Sequence, residues 1–155
     1  MDAELTLAGL LVETHRALAC ELARVHARHG LQGSDFDALL RLQRSPGQSL
    51  RMRDLAAQTG LSASGVTTLA DRLCTAGWVR RDTAPGDRRS IIVTLTPVGA
   101  EVLAGDIEDL LPVIRRLLCD PLGPDGSRRL AELLTLLRDV AAPGARGNAK
   151  RDLGF

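Results

Sequence analysis

The chain has 155 residues, 45% of them hydrophobic, and a formal net charge of +1, which suits one ordinary domain or two small lobes with a real core. No apolar run approaches the roughly 18 residues of a membrane span, and the acidic N-terminus is unlike a signal peptide, so we predict a cytoplasmic protein without membrane contact. Three widely spaced cysteines exclude a disulfide framework and a CxxC metal knuckle.

The N-terminal segment, residues 1–48, is predicted to form two helices. The first covers residues 6–29 and ends at Gly30, and the second is capped by Ser34 and broken by Ser45-Pro46-Gly47. Their apolar positions are Leu7, Leu11, Leu18, Leu22 and Val25 in the first helix, and Phe36, Leu39, Leu40 and Leu42 in the second.

Residues 49–95 predict a helix-turn-helix followed by a hairpin. Leu50 adds a short strand, Gly60 provides the left-handed turn that ends a helix, and Ser62 caps the next one. That second helix, residues 62–76, turns Val66, Leu69 and Leu73 inward. Its outer face carries small hydroxyls and an arginine without apolar residues, which suits the floor of a DNA major groove.

A basic hairpin follows the second helix. Residues 79–83 and 90–95 alternate as strands do, and residues 84–90 form a charged, turn-rich tip. Trp78 is predicted to close the junction between helix and hairpin. Residues 45–95 hold 7 basic and 4 acidic side chains, so the small positive excess of the chain lies in this lobe, where phosphate contacts would use it.

Residues 96–142 are predicted to form two further helices. Thr96-Pro97 starts the first, and Pro112 inside it should kink it. Its apolar side chains form a heptad seam that calls for a partner helix: Leu103, Ile107, Leu110, Ile114 and Leu117. Residues 120–124 turn the chain into a last helix, and residues 143–155 form a polar tail, disordered at least in part.

The predicted fold class is mainly α with a small β-hairpin wing (α+β), a winged helix-turn-helix plus a helical dimerisation domain. The terminal helices carry more apolar surface than one short lobe can cover. We therefore expect residues 1–48 and 96–142 to intertwine with a second copy in a two-fold homodimer, with residues 49–95 as the DNA-binding lobe.

Residues 50–103 resemble the winged helix-turn-helix of MarR-type transcriptional regulators. The matching motifs are Leu55-Ala56, Gly60-Leu61-Ser62, Val66-Thr67, Asp71-Arg72-Leu73, Gly77-Trp78-Val79, Arg81, Asp87-Arg88-Arg89 and Leu95-Thr96-Pro97-Val98-Gly99. The flanking helices fit the dimerisation domain of that family, so the resemblance covers nearly the whole chain.

The resemblance implies a homodimer that binds a palindromic operator in double-stranded DNA, usually represses, and is released by a small-molecule effector, a metal or an oxidant. The recognition helix, residues 62–76, would enter the major groove, and the wing, residues 84–90, the minor groove. The usual effector pocket would be lined by Leu, Val and Ala, which fits an apolar or aromatic ligand, or none.

Individual roles follow from the resemblance residue by residue. The groove-facing positions of the recognition helix are Ser62, Ser64, Thr67, Thr68 and Arg72. Family members often carry a longer polar or basic residue at the place of Thr68, so fewer long side chains read bases here. Arg89 matches the wing arginine of the minor groove, with Asp87 as its orienting carboxylate.

Other charged groups have two readings each. Arg88 and Arg53 either contact phosphate or are simply solvated, and Ser62 either caps its helix or donates to phosphate. Asp71 would repel phosphate, so it is expected to pair with Arg72 or with a wing arginine and thereby support the wing.

Three other functions compete with this one. A redox- or metal-responsive regulator of the same fold would use Cys20 or the histidines His15, His26 and His29, but no Tyr is present to hold a thiolate and no matched ligand accompanies the histidines. We therefore favour a buried Cys20 and solvated histidines, and predict no metal site or cofactor. An enzyme is disfavoured because Cys20 and His15 lie on different helical faces, so no catalytic residue is predicted. A protein-binding winged-helix adaptor is disfavoured by the polar outer face of residues 62–72.

Overall fold

The computed structural model describes residues 2–84 and 86–145, apart from the side chains of Arg88 and Ala145. The helices and strands follow one another in the order that the sequence predicts. In chain order they are α1 (Ala3–Arg28), α2 (Gly33–Gln43), β1 (Ser49–Arg51), α3 (Met52–Thr59), α4 (Ala63–Thr75), β2 (Val79–Ala84), β3 (Asp87–Leu95), α5 (Pro97–Ile114) and α6 (Asp120–Ala141). No helix of the described ranges is long and apolar enough to cross a bilayer.

The start of α2 differs from the prediction. Gln32, in an extended conformation, is the N-cap, and its backbone N–H donates to Asp35 Oδ2 at 2.8 Å in a capping box. Ser34 therefore lies inside the first turn and does not cap the helix, so that prediction was wrong. Asp35 occupies the third helical position, from which its carboxylate extends back to the Gln32 N–H.

The three strands form one antiparallel sheet in the order β1-β3-β2. Leu50 of β1 lies opposite Val93, and Val79 at the start of β2 lies opposite Leu95. A bulge between Thr83 and Ala84 shifts the register near the hairpin tip. The short strand predicted from Leu50 is thus confirmed, and it supports β3 from the side away from β2.

One hydrophobic core joins α2 and the loop before it, the lobe of residues 49–95 and α5. It contains Leu31, Ala38, Leu39 and Leu42 from the N-terminal segment, Leu55, Val66, Leu69, Ala70, Leu73, Val79, Val93 and Leu95 from the lobe, and Leu103 from α5. Trp78 packs at its edge, as predicted. Leu103 and Leu110 of the predicted heptad seam are buried within this chain, so the first half of the seam already packs against neighbouring helices of the same copy.

Two histidine–aspartate contacts join α1 to α5. His26 Nδ1 lies 2.9 Å from both carboxylate oxygens of Asp106, and both side chains are buried. The His26 ring also stacks on Phe36 of α2, with 4.6 Å between ring centroids. One turn further on, His29 Nε2 lies 3.1 Å from Asp109. The expectation of solvated histidines without matched carboxylates was wrong for this pair, because the carboxylates come from a helix 80 residues away in sequence.

The C-terminal part turns where the sequence predicts. A π-helical turn, Arg115–Cys119, follows α5, and Gly123 (φ 67°, ψ 178°) interrupts the helix that follows. At the start of the predicted tail, Pro143–Ala145 forms a 3-10 turn beside α3, where a Cβ on Gly144 would lie 2.8 Å from the Ala57 carbonyl oxygen. Residues 146–155 of the predicted tail lie outside the described residues.

Large apolar side chains remain exposed on both terminal helices of a single copy. They include Leu5, Leu7, Leu10, Leu11 and Val12 on α1, and Leu133, Leu134, Leu136, Leu137 and Val140 on α6. Such contiguous apolar faces are uncommon on monomers and mark interaction surfaces.

Candidate nucleic-acid interface

The recognition helix α4 is positioned by local chemistry at its start and by burial of one face. Gly60 adopts φ 71° in the turn, and Ser62 Oγ accepts the backbone N–H of Gly65 at 3.1 Å. Val66, Leu69 and Leu73 are buried as predicted. Ser62 thus caps the helix, and the hydroxyl residues on its other face are left exposed.

The exposed hydroxyls are engaged within the helix itself. Thr67 Oγ1 donates to the Ala63 carbonyl at 2.9 Å, and Thr68 Oγ1 donates to the Ser64 carbonyl at 3.1 Å. The Ser62 and Ser64 hydroxyls lie 3.1 Å apart. The predicted outer face is therefore present, with short side chains held in fixed orientations.

Arg72 does not belong to that outer face. Its Nε and Nη2 donate to Asp35 Oδ1 at 3.0 and 2.5 Å, and Nη2 also donates to Ser34 Oγ at 3.1 Å. The sequence analysis placed Arg72 with the groove-facing hydroxyls, whereas in the structure a buried carboxylate on α2 holds its guanidinium and leaves the side chain 38% exposed. Its contact with DNA stays a prediction. The pairing of Asp71 with Arg72, one of two readings, is excluded as well, since Arg72 is bound to Asp35.

Asp71 pairs instead with a wing arginine, the other reading of its role. Arg81 Nη1 on β2 donates to Asp71 Oδ1 at 2.6 Å, and its Nη2 donates to the Thr67 carbonyl at 2.9 Å. The Nε atom of Arg81 is the one buried side-chain nitrogen or oxygen without a partner among the described residues. Arg81 therefore fixes the wing strand β2 against the recognition helix at two points.

Carboxylate and hydroxyl contacts near the tip hold the backbone of the wing in place. Asp87 Oδ1 accepts the backbone N–H of Arg89 at 3.1 Å, while its Oδ2 lies 3.9 Å from Arg51 Nη1. Arg51 Nη1 also donates to Ser90 Oγ at 3.2 Å, which links β1 to β3. Asp87 thus orients the backbone that carries Arg89, and the exposed Arg89 side chain stays available. The side chain of Arg88, a further predicted contact, lies outside what the structure describes.

Arg53 lies in the first turn of α3, and its side chain is 76% exposed. Its Nε lies 3.5 Å from the Asp54 carboxylate. Such an exposed ion pair is screened by solvent and contributes little free energy, so it does not hold the guanidinium in place. The guanidinium is therefore sterically available to a phosphate, as the sequence suggested.

Sequence reasoning missed Asp35 as part of this site and did not assign a role to Arg81. The signal for Arg81 was present, since an acidic residue on the recognition helix needed a basic partner on the wing.

The competing metal and redox hypotheses depend on where the histidine and cysteine side chains lie. Within residues 2–84 and 86–145, no group of three or more His, Cys, Asp and Glu side chains could hold a metal ion. Cys20 is exposed, which corrects the expectation that it is buried, whereas Cys74 and Cys119 are half-buried. Cys20 lines an open groove of about 460 Å³ with Thr14, Leu18, Leu117 and Leu118.

Comparison with known proteins agrees with this geometry. The MarR family model matches residues 29–90. Among curated proteins, the HTH-type transcriptional regulator YfiV of Bacillus subtilis is 34% identical over 89 residues, which are 57% of this chain and 55% of that protein. The transcriptional repressor MprA of Escherichia coli K12 is 28% identical over 100 residues, 64% of this chain and 57% of MprA. The chain thus spans a little over half the length of these curated relatives.

Solved structures match over nearly the whole chain. Sco3205 from Streptomyces coelicolor, a MarR family regulator in complex with DNA, superposes with a TM-score of 0.83 at 28% identity, covering 90% of this chain and 89% of that one. AbsC, a MarR family regulator from the same organism, gives a TM-score of 0.81 at 30% identity, covering 91% and 93%. The shared motifs, the winged helix-turn-helix and these likenesses lead to one conclusion: the chain belongs to the MarR family of DNA-binding transcriptional regulators.

Proposed function

We propose that this protein is a dimeric transcriptional regulator that binds a palindromic operator. The recognition helix, residues 62–76, enters the major groove, and the wing, residues 84–90, enters the minor groove. The observation that carries the proposal is the bond pair of Arg81 with Asp71 and Thr67, which holds helix and wing as one reading unit. The DNA-bound state of Sco3205 supports it from a protein of the same fold.

The contacts with DNA are assigned mainly to exposed side chains of the recognition helix, the wing and α3. Ser64, Thr67 and Thr68 face the groove floor, Arg89 reaches from the wing into the minor groove, and Arg53 contacts phosphate. Ser62 serves as the helix cap. Arg88 is retained as a phosphate contact on the sequence argument alone. Arg72 is left out of this set because Asp35 holds it.

The homodimer rests on the exposed apolar faces of the terminal helices. Residues 1–48 and 96–142 form the dimerisation part, residues 49–95 the DNA-binding lobe, and residues 143–155 a tail. Burial of the faces around Leu11 of α1 and Leu137 of α6 against a second copy removes them from water, which is the main driving force for such association. A two-fold dimer then offers two recognition helices to half-sites about one helical turn apart.

Repression, and release by a small-molecule effector, complete the proposal. A dimer bound at a promoter blocks transcription by occupying it, and MprA, a relative of this chain, is a transcriptional repressor. An effector acts if it binds the free dimer more tightly than the DNA-bound one, because it can shift the equilibrium only by that difference. A thermal-shift screen of aromatic acids and metal ions would identify it.

The direct test is binding to duplex DNA selected by the protein from a random-sequence library, followed by fluorescence anisotropy at several salt concentrations. We expect a palindromic consensus bound by two copies, and an affinity that falls steeply with salt as counterions are released. Arg89→Ala should weaken binding by roughly 1–3 kcal/mol. Arg128→Ala on α6, which removes the same charge outside the lobe, is the matched control. No enrichment above random DNA would refute the proposal.

A further inference from the structure

We propose that Asp35 is a positioning residue for DNA binding, which sets the orientation of the recognition helix by holding Arg72. This inference rests on the proposed function and deepens it. In this arrangement Arg72 fixes the helix relative to α2 and makes no contact with DNA. The Asp35–Arg72 pair thereby favours binding to a specific duplex, because only a correctly oriented recognition helix brings its side chains to the base edges.

The contacts commit both oxygens of the Asp35 carboxylate. Oδ1 accepts Nε and Nη2 of Arg72, while Oδ2 accepts the Gln32 N–H that starts α2. The Asp35 side chain is 2% exposed and that of Arg72 is 38% exposed. A buried carboxylate with all its contacts satisfied is rigid, and the loss of one partner leaves it uncompensated. The Asp35 carboxylate therefore resists any movement of Arg72 away from it.

The start of α2 is itself anchored on its other side. Phe36, the next residue, stacks on His26, which contacts Asp106 of α5. Leu39, one turn further along α2, is fully buried in the core. The start of α2, which carries Asp35, is thus held by contacts with both α1 and α5. Through its bonds to Asp35, Arg72 connects the recognition helix to these elements.

The position of Arg72 along α4 makes its bond effective. Arg72 lies in the last turn of the helix, and the residues proposed to approach the bases start eight positions earlier, at Ser64. At 1.5 Å per residue this is a lever of roughly 12 Å, so a tilt of about 5° displaces the reading end by about 1 Å. Displacements larger than about 0.5 Å degrade a preorganised contact. The Asp35–Arg72 pair therefore affects specific contacts more than general attraction to phosphate.

Two variants separate this role from direct DNA contact. Asp35→Asn keeps an oxygen that can accept the Gln32 N–H, but removes the charge that holds Arg72. Arg72→Gln removes the guanidinium at a partly exposed site that tolerates the change. Asp37→Asn is the matched control, because Asp37 lies on the same helix and pairs with Arg41 within α2.

The assay compares two probes in fluorescence anisotropy: a duplex selected by the wild-type protein from a random library, and a scrambled duplex of equal composition. Asp35→Asn and Arg72→Gln should each lower affinity for the selected duplex roughly tenfold, and the double variant should lose no more than either single one. Affinity for the scrambled duplex and the slope of affinity against salt should stay unchanged. Arg72→Lys should recover part of the loss. Far-UV circular dichroism establishes that each variant is folded at the assay temperature.

Opposite results are equally clear. A salt slope reduced by about one in Arg72→Gln would show that Arg72 contacts phosphate. Unchanged or tighter binding by Asp35→Asn would overturn the positioning role, and if that variant is unfolded, Arg72→Gln decides the matter by the same criteria. Failure of the wild-type protein to select any duplex would instead remove the proposed function.

Discussion

A single added methyl group should distinguish two glycines of α5 by opposite effects on stability. Gly99 is buried, and a Cβ there would lie 2.1 Å from the Trp78 carbonyl oxygen. The same carbonyl accepts the backbone N–H of Thr96 at 3.0 Å, and Thr96 Oγ1 caps the helix by accepting the Gly99 N–H. A Cβ on Gly105 would lie 3.5 Å from His29 Cε1 and 3.6 Å from His29 Nδ1, both ordinary contacts.

The expected magnitudes follow from these distances. To reach an ordinary contact of 3.4 Å, the Trp78 carbonyl must move by more than 1 Å, which breaks its bond to Thr96. Overpacking costs about 1–3 kcal/mol and the lost hydrogen bond about 1 kcal/mol, while alanine returns at most about 1 kcal/mol of helix propensity. Gly99→Ala should therefore destabilise by roughly 1–3 kcal/mol, and Gly105→Ala should stabilise by roughly 0.4–1 kcal/mol.

Urea unfolding followed by far-UV circular dichroism measures both changes. All titrations use one protein concentration, because the proposed dimerisation would make the midpoint depend on concentration. Trp78, the sole tryptophan, reports the junction by fluorescence in the same titration. The reasoning is refuted if Gly99→Ala is as stable as the wild type, or if the two variants shift the midpoint in the same direction.

Three further outcomes are expected. Asp106→Leu should destabilise the fold by about 3 kcal/mol, because it leaves the buried His26 ring without its hydrogen-bond partner. The double variant, with leucine at both His26 and Asp106, should be destabilised less than Asp106→Leu alone; destabilisations from urea unfolding that are additive over the two sites would contradict this. Arg81→Met should weaken duplex binding by about 1 kcal/mol with the fold retained, since the wing loses its attachment to the recognition helix; equal anisotropy curves would exclude it. Leu137→Glu should shift the protein toward monomers in analytical ultracentrifugation, whereas Arg129→Glu on the same helix should not.

The elements were predictable where local chemistry decides them. Gly60 and Ser62 define the turn and the start of the recognition helix, and Thr96-Pro97 defines the start of α5, because the cap and the helix it starts lie within four residues of each other. The exposure of Ser64 and Thr67 followed from helical periodicity alone. Alternation also predicted the two wing strands, although β2 extends to Ala84 and β3 starts at Asp87, so most of the predicted tip belongs to the strands.

Long-range polar pairs were not predictable in the same way. The contact of Arg72 with Asp35 spans 37 residues, and that of His26 with Asp106 spans 80. Periodicity assigns a residue to a face but does not say which element covers that face. Arg72 was therefore assigned to the outer surface, although α2 provides a buried carboxylate for it.

If the recognition helix enters the major groove as proposed, its two adjacent threonines restrict which base edges can face them. Because their hydroxyl hydrogens point to carbonyls of their own helix, Thr67 and Thr68 offer only oxygen lone pairs and methyl groups outward. In the major groove, those lone pairs match the amino groups of adenine and cytosine, and the methyl groups match that of thymine. Guanine presents only acceptors there, which neither threonine can satisfy. The half-site opposite these two residues should therefore be poor in guanine on the contacted strand.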